Sequence, residues 1–452
     1  MIRKLLALGL PLAIGFISQT TISFTDAMLI SRLGNQDLSG ATLGISLFSL
    51  VMLMGIGILL AFGPHMARAF RQDDFARLRK WFAQGIWLAL ILGVVGMAIL
   101  YNTGRILTLF NVSDDLAQIA QQYNQGAAPG IVFLFLFVHS RCLMSSVGKP
   151  GYLTIIMLLT VPVNFLVAYV AILGFNHTGG AGVLGGGLSS SLIRAVLLIS
   201  AVCLLTRGRP FRHLSLTLQP GRLDWQAIRT VLAAGLPMGV RIALSEGFLP
   251  TAAFLIAGFG LEATTVHSFA LRTESLITVF TIGLSGAAGT LAAWCAAEND
   301  WVGLRRLRYG LLSVAFGYVL LVGGAIALFY PQIQRYIYDV TDAHIISMMW
   351  NLLPLLLIAF LFNTLGSCYN GFLVGMMDTR WPTLVVIGSY WVIGLGGGFI
   401  VARYFHAGFY SYWIALGVSN LIIAAYNFYR TGVHVQRMVR ERLHEPQPAV
   451  SG

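Results

Sequence analysis

The chain carries Gly9-Leu10-Pro11 near its start and the same three residues as Gly235-Leu236-Pro237, 226 positions further on. One constant shift that holds for about seventy residues indicates a tandem duplication. Internal repeats in an apolar chain are the usual construction of secondary transporters. Five further pairs follow the same shift: Gly34 and Gly260, Gly57 and Gly283, Gly63 and Gly289, Asp74 and Asp300, and Arg79-Lys80 and Arg305-Arg306.

Composition places most of this chain in lipid. Of its 452 residues 57% are hydrophobic and 10% are charged, with a mean hydropathy of +0.78. Soluble proteins carry about 25% charged residues, so this chain could not cover a surface exposed to water. The net charge of +12 is therefore assigned to cytoplasmic loops, and we expect no nucleic-acid partner, because the basic residues do not alternate with aromatic residues on one patch.

Twelve apolar stretches are long enough to cross a bilayer, which takes about 20 residues each. Six spans in each copy is an even number, so both copies enter the membrane from the same side. The predicted fold class is all-α, a polytopic membrane protein with 12 transmembrane helices in two six-helix lobes that form a parallel internal repeat. The predicted spans are 7–30, 40–63, 82–101, 122–145, 152–174, 183–206, 232–258, 264–291, 309–329, 347–375, 382–404 and 410–430.

Lobe boundaries and orientation follow from the charged connections. We predict an N-terminal lobe at 1–206, a cytoplasmic linker at 207–230, a C-terminal lobe at 231–431 and a cytoplasmic tail at 432–452. The loops on one side of the spans hold 22 Lys and Arg residues and those on the other side hold 4. Because Lys and Arg accumulate in cytoplasmic loops, both termini are predicted to be cytoplasmic, in an inner membrane. The apolar start has no small-residue cleavage site and is predicted to be an uncleaved first span.

Ionisable side chains at membrane depth are rare and mark functional sites. Asp26, near the end of the first span, is the strongest candidate. A desolvated carboxylate could take up and release a proton, or it could supply the charge of an oxygen cage for Na⁺. The alternative is a structural Asp that caps the span or pairs with Arg32.

The second half carries Glu246 in its first span, with Arg272 and Glu274 in the next. Glu246 is predicted to face the substrate or to balance Arg241 or Arg272. Arg272 and Glu274 are two residues apart and therefore point to nearly opposite faces of a helix, so each is expected to meet another span.

Other polar residues in the spans have structural interpretations. His139 is predicted to be a hydrogen-bonded packing residue, whereas Arg141 and Arg194 are predicted to extend toward the membrane surface. The neutral residues Asn164, Ser190 and Asn363 could provide oxygen ligands or ordinary hydrogen bonds between helices. The four cysteines are far apart and form no CxxC pair, so they are interpreted as packing residues.

In their order along the chain, these residues resemble the multidrug and toxic compound extrusion (MATE) family, especially its bacterial NorM-like and DinF-like members. The resemblance covers nearly the whole chain. It implies two six-helix lobes around a central cavity and export of drug-like compounds driven by inward H⁺ or Na⁺ flow. The motifs that carry it are the Leu-Pro start of both halves, the run from Asp26 to Gly34, Gly148-Lys149-Pro150, and Ala270-Leu271-Arg272-Thr273-Glu274-Ser275-Leu276.

The resemblance also assigns roles to single residues. Asp26, Asn164 and Ser190 correspond to the family's cation-coupling positions, which makes Asp26 and Asn164 the candidate Na⁺ ligands. Two family acids are missing, because Ala168 stands where many members have Asp and Asn363 stands where NorM-like members have an acid. Their absence shifts the expected coupling ion from Na⁺ toward H⁺. Four residues are assigned to the substrate cavity: Glu246, Asn363, Arg272 and Glu274.

The predicted function is a cation-coupled antiporter that exports drug-like or natural-product compounds by alternating access. We expect no cofactor and no enzymatic activity, a monomer in the lipid bilayer, and small organic, cationic or aromatic substrates. The chain has no Walker-type nucleotide-binding loop that would let ATP drive transport directly. A flippase for lipid-linked precursors in the same superfamily is the first alternative, although such proteins usually have fourteen spans. A membrane-embedded enzyme, which would need clustered His, Asp or Glu, and a passive channel are the others.

Overall fold

A computed structural model describes residues 1–110, 112–174, 179–216, 221–337, 342–405 and 408–443. The described chain divides into two compact units, one formed by Pro11–Ala243 and the other by Met1–Leu10 together with Leu244–Gly452. The unit boundaries fall inside helices, whereas the predicted lobe boundaries were placed in the charged linker. The lobes at 1–206 and 231–431 therefore remain predictions.

Eight helices occur in the described residues of the first half of the chain. Its linker holds a short 3₁₀ turn, Arg212–Leu214. The helices are α1 Ile2–Ile30, α2 Asn35–Leu60, α3 Phe62–Arg71, α4 Phe75–Tyr101, α5 Thr103–Leu109, α6 Asp114–Ser146, α7 Gly151–Leu173 and α8 Gly182–Arg207.

In the second half, the part of the chain that the structure describes has seven helices and two π-helical segments, Ile333–Ile337 and Gly388–Gly397. The longer π segment joins two short helices and reaches the glycine triplet Gly396-Gly397-Gly398. The helices are α9 Trp225–Ala257, α10 Leu261–Ala297, α11 Trp301–Gln332, α12 Ala343–Gly375, α13 Arg380–Ile387, α14 Gly398–Tyr404 and α15 Tyr410–Leu443.

Eleven helical segments in the described ranges are long and apolar enough to cross a membrane. They contain eleven of the twelve predicted spans. The twelfth, 410–430, lies inside α15, a helix with buried polar side chains at Ser419, Asn420 and Asn427. These residues make α15 more polar than the other spans, although they lie in the interior. The helix also continues past the predicted end of the span to Leu443.

The duplication is visible in the backbone. Asp74 caps the start of α4 by accepting a hydrogen bond from the backbone N–H of Arg77, and Asp300 caps α11 in the same way through Gly303. The residues just before the caps, Asp73 and Asn299, have φ values of 54° and 51°. Positive φ is uncommon outside glycine, so its occurrence at matched positions shows that both copies kept the same turn.

Matched glycines also make matched helix crossings. A Cβ on Gly235 would lie 2.7 Å from the carbonyl oxygen of Ile58, and a Cβ on Gly9 would lie 3.5 Å from the Cα of Leu284. Ile58 and Leu284 are themselves related by the same shift of 226. The start of α9 therefore packs within the Pro11–Ala243 unit, and the start of α1 packs within the other unit.

Within each unit one helix is central. In the first unit α6 packs against α2, α4 and α8, and in the second α12 packs against α10, α11 and α15. Glycines permit the close approach in the first unit, because a Cβ on Gly187 would lie 2.1 Å from the carbonyl oxygen of Tyr123 and one on Gly185 would lie 2.0 Å from that of Ala171. Gly185 and Gly187 thus serve helix packing.

Candidate functional site

The structure brings Asp26, Asn164 and Ser190 together within the Pro11–Ala243 unit. Ser190 on α8 donates a hydrogen bond of 2.7 Å to Asp26 Oδ2, and Asn164 Nδ2 on α7 lies 3.2 Å from Asp26 Oδ1. Asp26 itself lies one turn before the end of α1. The exposed fractions of Asp26, Asn164 and Ser190 are 2%, 0% and 3%. Each carboxylate oxygen therefore has a neutral partner in an interior that excludes water.

Two further side chains complete this site. Arg194, one turn after Ser190 on α8, interacts electrostatically with Asp26, and its guanidinium carbon lies 4.2 Å from the centre of the Phe48 ring. Tyr123 on α6 is 4% exposed and interacts with Ser190, Asp26 and Arg194. The prediction that Arg194 extends to the membrane surface is wrong, because Phe48 on α2 holds the guanidinium inside the unit and its Nη1 is buried.

The side chains around Asp26 determine which ligands an ion would meet. They offer one carboxylate, one amide and the hydroxyls of Ser190 and Tyr123, and Ala168, in the place of the missing acid, is fully buried. Asn164 Oδ1 is buried without a hydrogen-bond partner in the described residues, so it could turn toward a cation. A hard cation such as Na⁺ needs several oxygen ligands and gains most from carboxylates. No group of three or more His, Cys, Asp or Glu side chains that could hold a metal ion occurs in the described residues.

The second unit has a different acidic site. Glu274 on α10 accepts a hydrogen bond of 2.6 Å from Thr278 and interacts electrostatically with Glu246 on α9. The two acids predicted for the substrate cavity, Glu246 and Glu274, therefore act on each other in this structure.

The remaining residues predicted for the substrate cavity are more dispersed. The Arg272 side chain is exposed and Glu274 is partly buried, which agrees with their placement on different faces of α10. Asn363 on α12 lies 3.5 Å from Ser367 Oγ on the same helix. The structure therefore joins Glu246 with Glu274 and leaves Arg272 and Asn363 outside that pair.

Two other buried residues have structural roles. His139 Nε2 lies 2.9 Å from the carbonyl oxygen of Phe82, and its ring stacks on the Phe82 ring at 5.1 Å. Arg141 is 8% exposed and packs its guanidinium 4.6 Å from the centre of the Phe16 ring, so it does not extend to the surface as predicted.

Sequence reasoning missed Arg194 and Tyr123 as neighbours of Asp26. One signal was available for Arg194, because it follows Ser190 by four residues and side chains at that spacing share a helix face. No such signal points to Tyr123, whose position depends on the packing of α6 against α8.

The model of the MatE family matches residues 11–170 and 237–400. A protein of Bradyrhizobium diazoefficiens named probable multidrug resistance protein NorM is 26% identical over 439 residues, which are 96% of this chain and 94% of the relative. A relative of the same name from Agrobacterium fabrum is 28% identical over 400 residues, 87% of this chain and 85% of the relative.

Solved structures share the fold. A crystal structure of a MATE mutant matches with a TM-score of 0.87 at 19% identity and covers 97% of both chains. An outward-facing multidrug resistance MATE family transporter of the MOP superfamily matches with a TM-score of 0.86, also at 19% identity and 97% of both chains. The predicted all-α fold class, with 12 transmembrane helices in two lobes, is confirmed. Because the family model covers most of both repeats, the chain belongs to the MatE family.

Proposed function

We propose that this protein is an antiporter that exports organic compounds by alternating access, coupled to inward cation movement at Asp26, with H⁺ as the preferred ion. The observation that carries the proposal is the buried Asp26 carboxylate, which is enclosed by Ser190 and Asn164 inside the membrane-spanning part of one unit. Ionisable groups at membrane depth are rare and mark functional sites.

Proton uptake changes the interactions of this site. Ionised Asp26 accepts hydrogen bonds from Ser190 and Asn164 and is stabilised by Arg194. A proton on one carboxylate oxygen turns that oxygen from an acceptor into a donor, so at least one of the two hydrogen bonds must rearrange. Asn164 can respond by presenting its unpaired Oδ1 in place of Nδ2. A rearrangement between α1 and α7 is thereby linked to the protonation state.

The substrates are proposed from the relatives and from the second unit. Both relatives described above carry the name multidrug resistance protein. The acids Glu246 and Glu274 form a locally negative region that favours a cationic organic compound. We therefore propose drug-like or natural-product compounds with a positive charge as the best substrates. The protein is proposed to act as a monomer in the inner membrane.

The orientation proposal uses the distribution of Lys and Arg. The start of the chain and the 207–230 linker face the cytoplasm in this proposal, because the loops on that side hold 22 basic residues against 4 on the other. Reporter fusions placed in the linker and after Arg442 should be active only as cytoplasmic reporters. Activity of either fusion outside the cytoplasm would contradict the orientation.

The coupling proposal is tested with Asp26→Asn in proteoliposomes that contain ethidium as the transported probe. The substitution is nearly isosteric but removes the titratable proton, so efflux driven by an imposed pH gradient should fall at least about 100-fold, to the rate of empty liposomes. Asp115→Asn is the matched control, because Asp115 lies exposed in the first turn of α6. That control should transport at the wild-type rate. Wild-type efflux by Asp26→Asn would show that Asp26 is structural.

A further inference from the structure

Arg194 follows Ser190, the hydrogen-bond donor to Asp26, by one helical turn, and its positive charge acts on the Asp26 carboxylate. Its Nη1 is buried and has no hydrogen-bond partner in the described residues, although its charge acts on Asp26 and on Tyr123. A buried cationic donor with an unused hydrogen is costly unless nearby negative charge compensates it. Asp26 is the acid that interacts with Arg194, so the two form a charge pair at longer range than a direct ion pair.

The surrounding helices are shaped to hold this guanidinium. Phe48 on α2 provides an aromatic face at 4.2 Å, which is a favourable position for a cation. Gly130 on α6 provides space, because a Cβ there would lie 3.1 Å from Arg194 Nη1 and 2.6 Å from Ser191 Oγ. Three helices thus fix the position of Arg194: α8 carries it, α2 stacks on it and α6 leaves room for it.

We propose that Arg194 is a built-in countercation of the Asp26 site that excludes Na⁺ and so sets the choice of coupling ion. The inference rests on the proposed function, since it assumes that Asp26 is the coupling residue. The charged and titratable neighbours that face Asp26 in the described residues are Arg194 and Tyr123; Asn164 and Ser190 are neutral.

The two ions differ in how they can meet a site that already contains a cation. Repulsion from Arg194 opposes any added positive charge at Asp26. A proton overcomes this repulsion because it forms a covalent bond with one carboxylate oxygen and needs no ligand shell. Na⁺ depends on weaker contacts with several oxygens, and here it would find a single carboxylate whose oxygens already accept hydrogen bonds from Ser190 and Asn164. Arg194 therefore excludes Na⁺, the ion that needs several oxygen ligands.

Binding of ²²Na⁺ to the purified full-length protein in detergent tests the proposal without knowledge of the substrate. Wild type and Arg194→Lys, which keeps the charge, should bind ²²Na⁺ only weakly. Arg194→Gln should bind it at least about tenfold more tightly, the effect expected when a nearby like charge is removed from a partly buried site. The gain should vanish in the double variant with Asp26→Asn. Arg141→Gln is the matched control, because it removes another buried guanidinium, stacked on Phe16, and should leave Na⁺ binding weak.

Each result supports or overturns the inference. Tight Na⁺ binding by wild type, or equal Na⁺ affinity of Arg194→Gln and wild type, would overturn it. If Arg194→Gln does not fold, Arg194→Met replaces it, since Met can still pack on Phe48 and also removes the charge. Failure of the proposed function gives a different pattern: Asp26→Asn would transport ethidium like wild type, whatever the Na⁺ affinities are.

Discussion

The two units of this protein contain related helices but different acids. In the Pro11–Ala243 unit, Asp26 is 2% exposed and is enclosed by Ser190, Asn164 and the charge of Arg194. In the other unit Glu246 is exposed and interacts with a second acid, Glu274. The first acid interacts with a cation, and the second interacts with a like charge. We propose that the first arrangement couples transport to a proton and that the second favours a larger cation as substrate.

This difference shows which parts of a duplicated chain stay alike. The backbone turns before α4 and α11 kept their Asp caps and their positive φ values. The side chains inside the units changed. When Gly187-Leu188-Ser189 is aligned with Gly417-Val418-Ser419, the position of Arg194 corresponds to Ala424, which is 6% exposed. Backbone geometry common to both copies determines the scaffold. A few side chains that differ between the copies determine the charge of each site.

The largest expected effect is a loss of export at the Glu246 site that depends on the charge of the substrate. Glu246→Gln should reduce export of cationic compounds at least about tenfold and export of neutral compounds less than about twofold, because only cations gain from the carboxylate. Efflux of a cationic and a neutral dye in the same proteoliposomes measures the ratio.

The rival role of Glu246 is to balance a basic residue, Arg241 or Arg272. In that case Glu246→Gln would leave a positive charge within a membrane span without its acidic partner, and the amount of folded protein in the membrane would fall. Removal of the relevant arginine as well would restore it. Poor expression of Glu246→Gln that is rescued by the double variant would contradict the binding role.

The next effect distinguishes the two matched helix crossings. Gly235→Ala should destabilise the protein by about 1–3 kcal/mol, because its Cβ would meet the backbone of Ile58 at 2.7 Å. Gly9→Ala should cost less than about 1 kcal/mol, since its Cβ meets the movable side chain of Leu284 at 3.2 Å. Thermal unfolding in detergent measures the stability of both variants. Equal losses of stability would show that the two helix crossings are equally closely packed.

The caps should behave identically in the two copies. Asp74→Ala and Asp300→Ala should each cost about 0.5–2 kcal/mol, because each removes the acceptor for a backbone N–H at the start of a helix. Asp74→Asn and Asp300→Asn are the controls, and they should retain most of the stability because Asn also caps helices. A cost at one position only would mean that the copies no longer share this turn.

The smallest effect concerns pH and the loops after α6 and α12. Hydrogen bonds from His434 and Arg430, at 2.8 and 2.6 Å, outweigh burial and hold the pKa of Asp378 below its usual value. A lowered pKa means that the stabilisation is present above about pH 4, the usual pKa of Asp, and is lost as the pH falls further. The difference in thermal stability between wild type and Asp378→Asn should therefore shrink as the pH falls from about 5 to below 4.

The matched loop after α6 provides the control for that measurement. Gly148, with a φ of 78°, precedes Lys149 in this loop, and Met377, with a φ of 63°, precedes Asp378 in the other. Lys149 occupies the place of Asp378 and donates a hydrogen bond of 2.8 Å to the carbonyl oxygen of Pro210. Because Lys149 does not titrate in acid, Lys149→Met should change stability equally at pH 4 and pH 6. An acid-dependent effect of Lys149→Met would show that pH acts elsewhere.

Much of the site could be predicted from the sequence because its residues match a family pattern. The resemblance groups Asp26, Asn164 and Ser190, and they do meet, although 138 and 164 residues separate Asp26 from its two partners. It predicts neither the place of Arg194 nor the interaction of Glu246 with Glu274. A resemblance assigns roles to single positions, whereas these contacts depend on how the helices pack.

Composition, apolar length and a constant shift of 226 are enough to infer that the chain lies in lipid, that it is helical and that it was duplicated. The packed structure was needed to show that the starts of α1 and α9 pack in different units from the rest of their helices, and that the charge of Arg194 acts on Asp26. Span length needs only local hydrophobicity. Contacts between spans depend on the rotation and depth of each helix, which close packing at small residues sets.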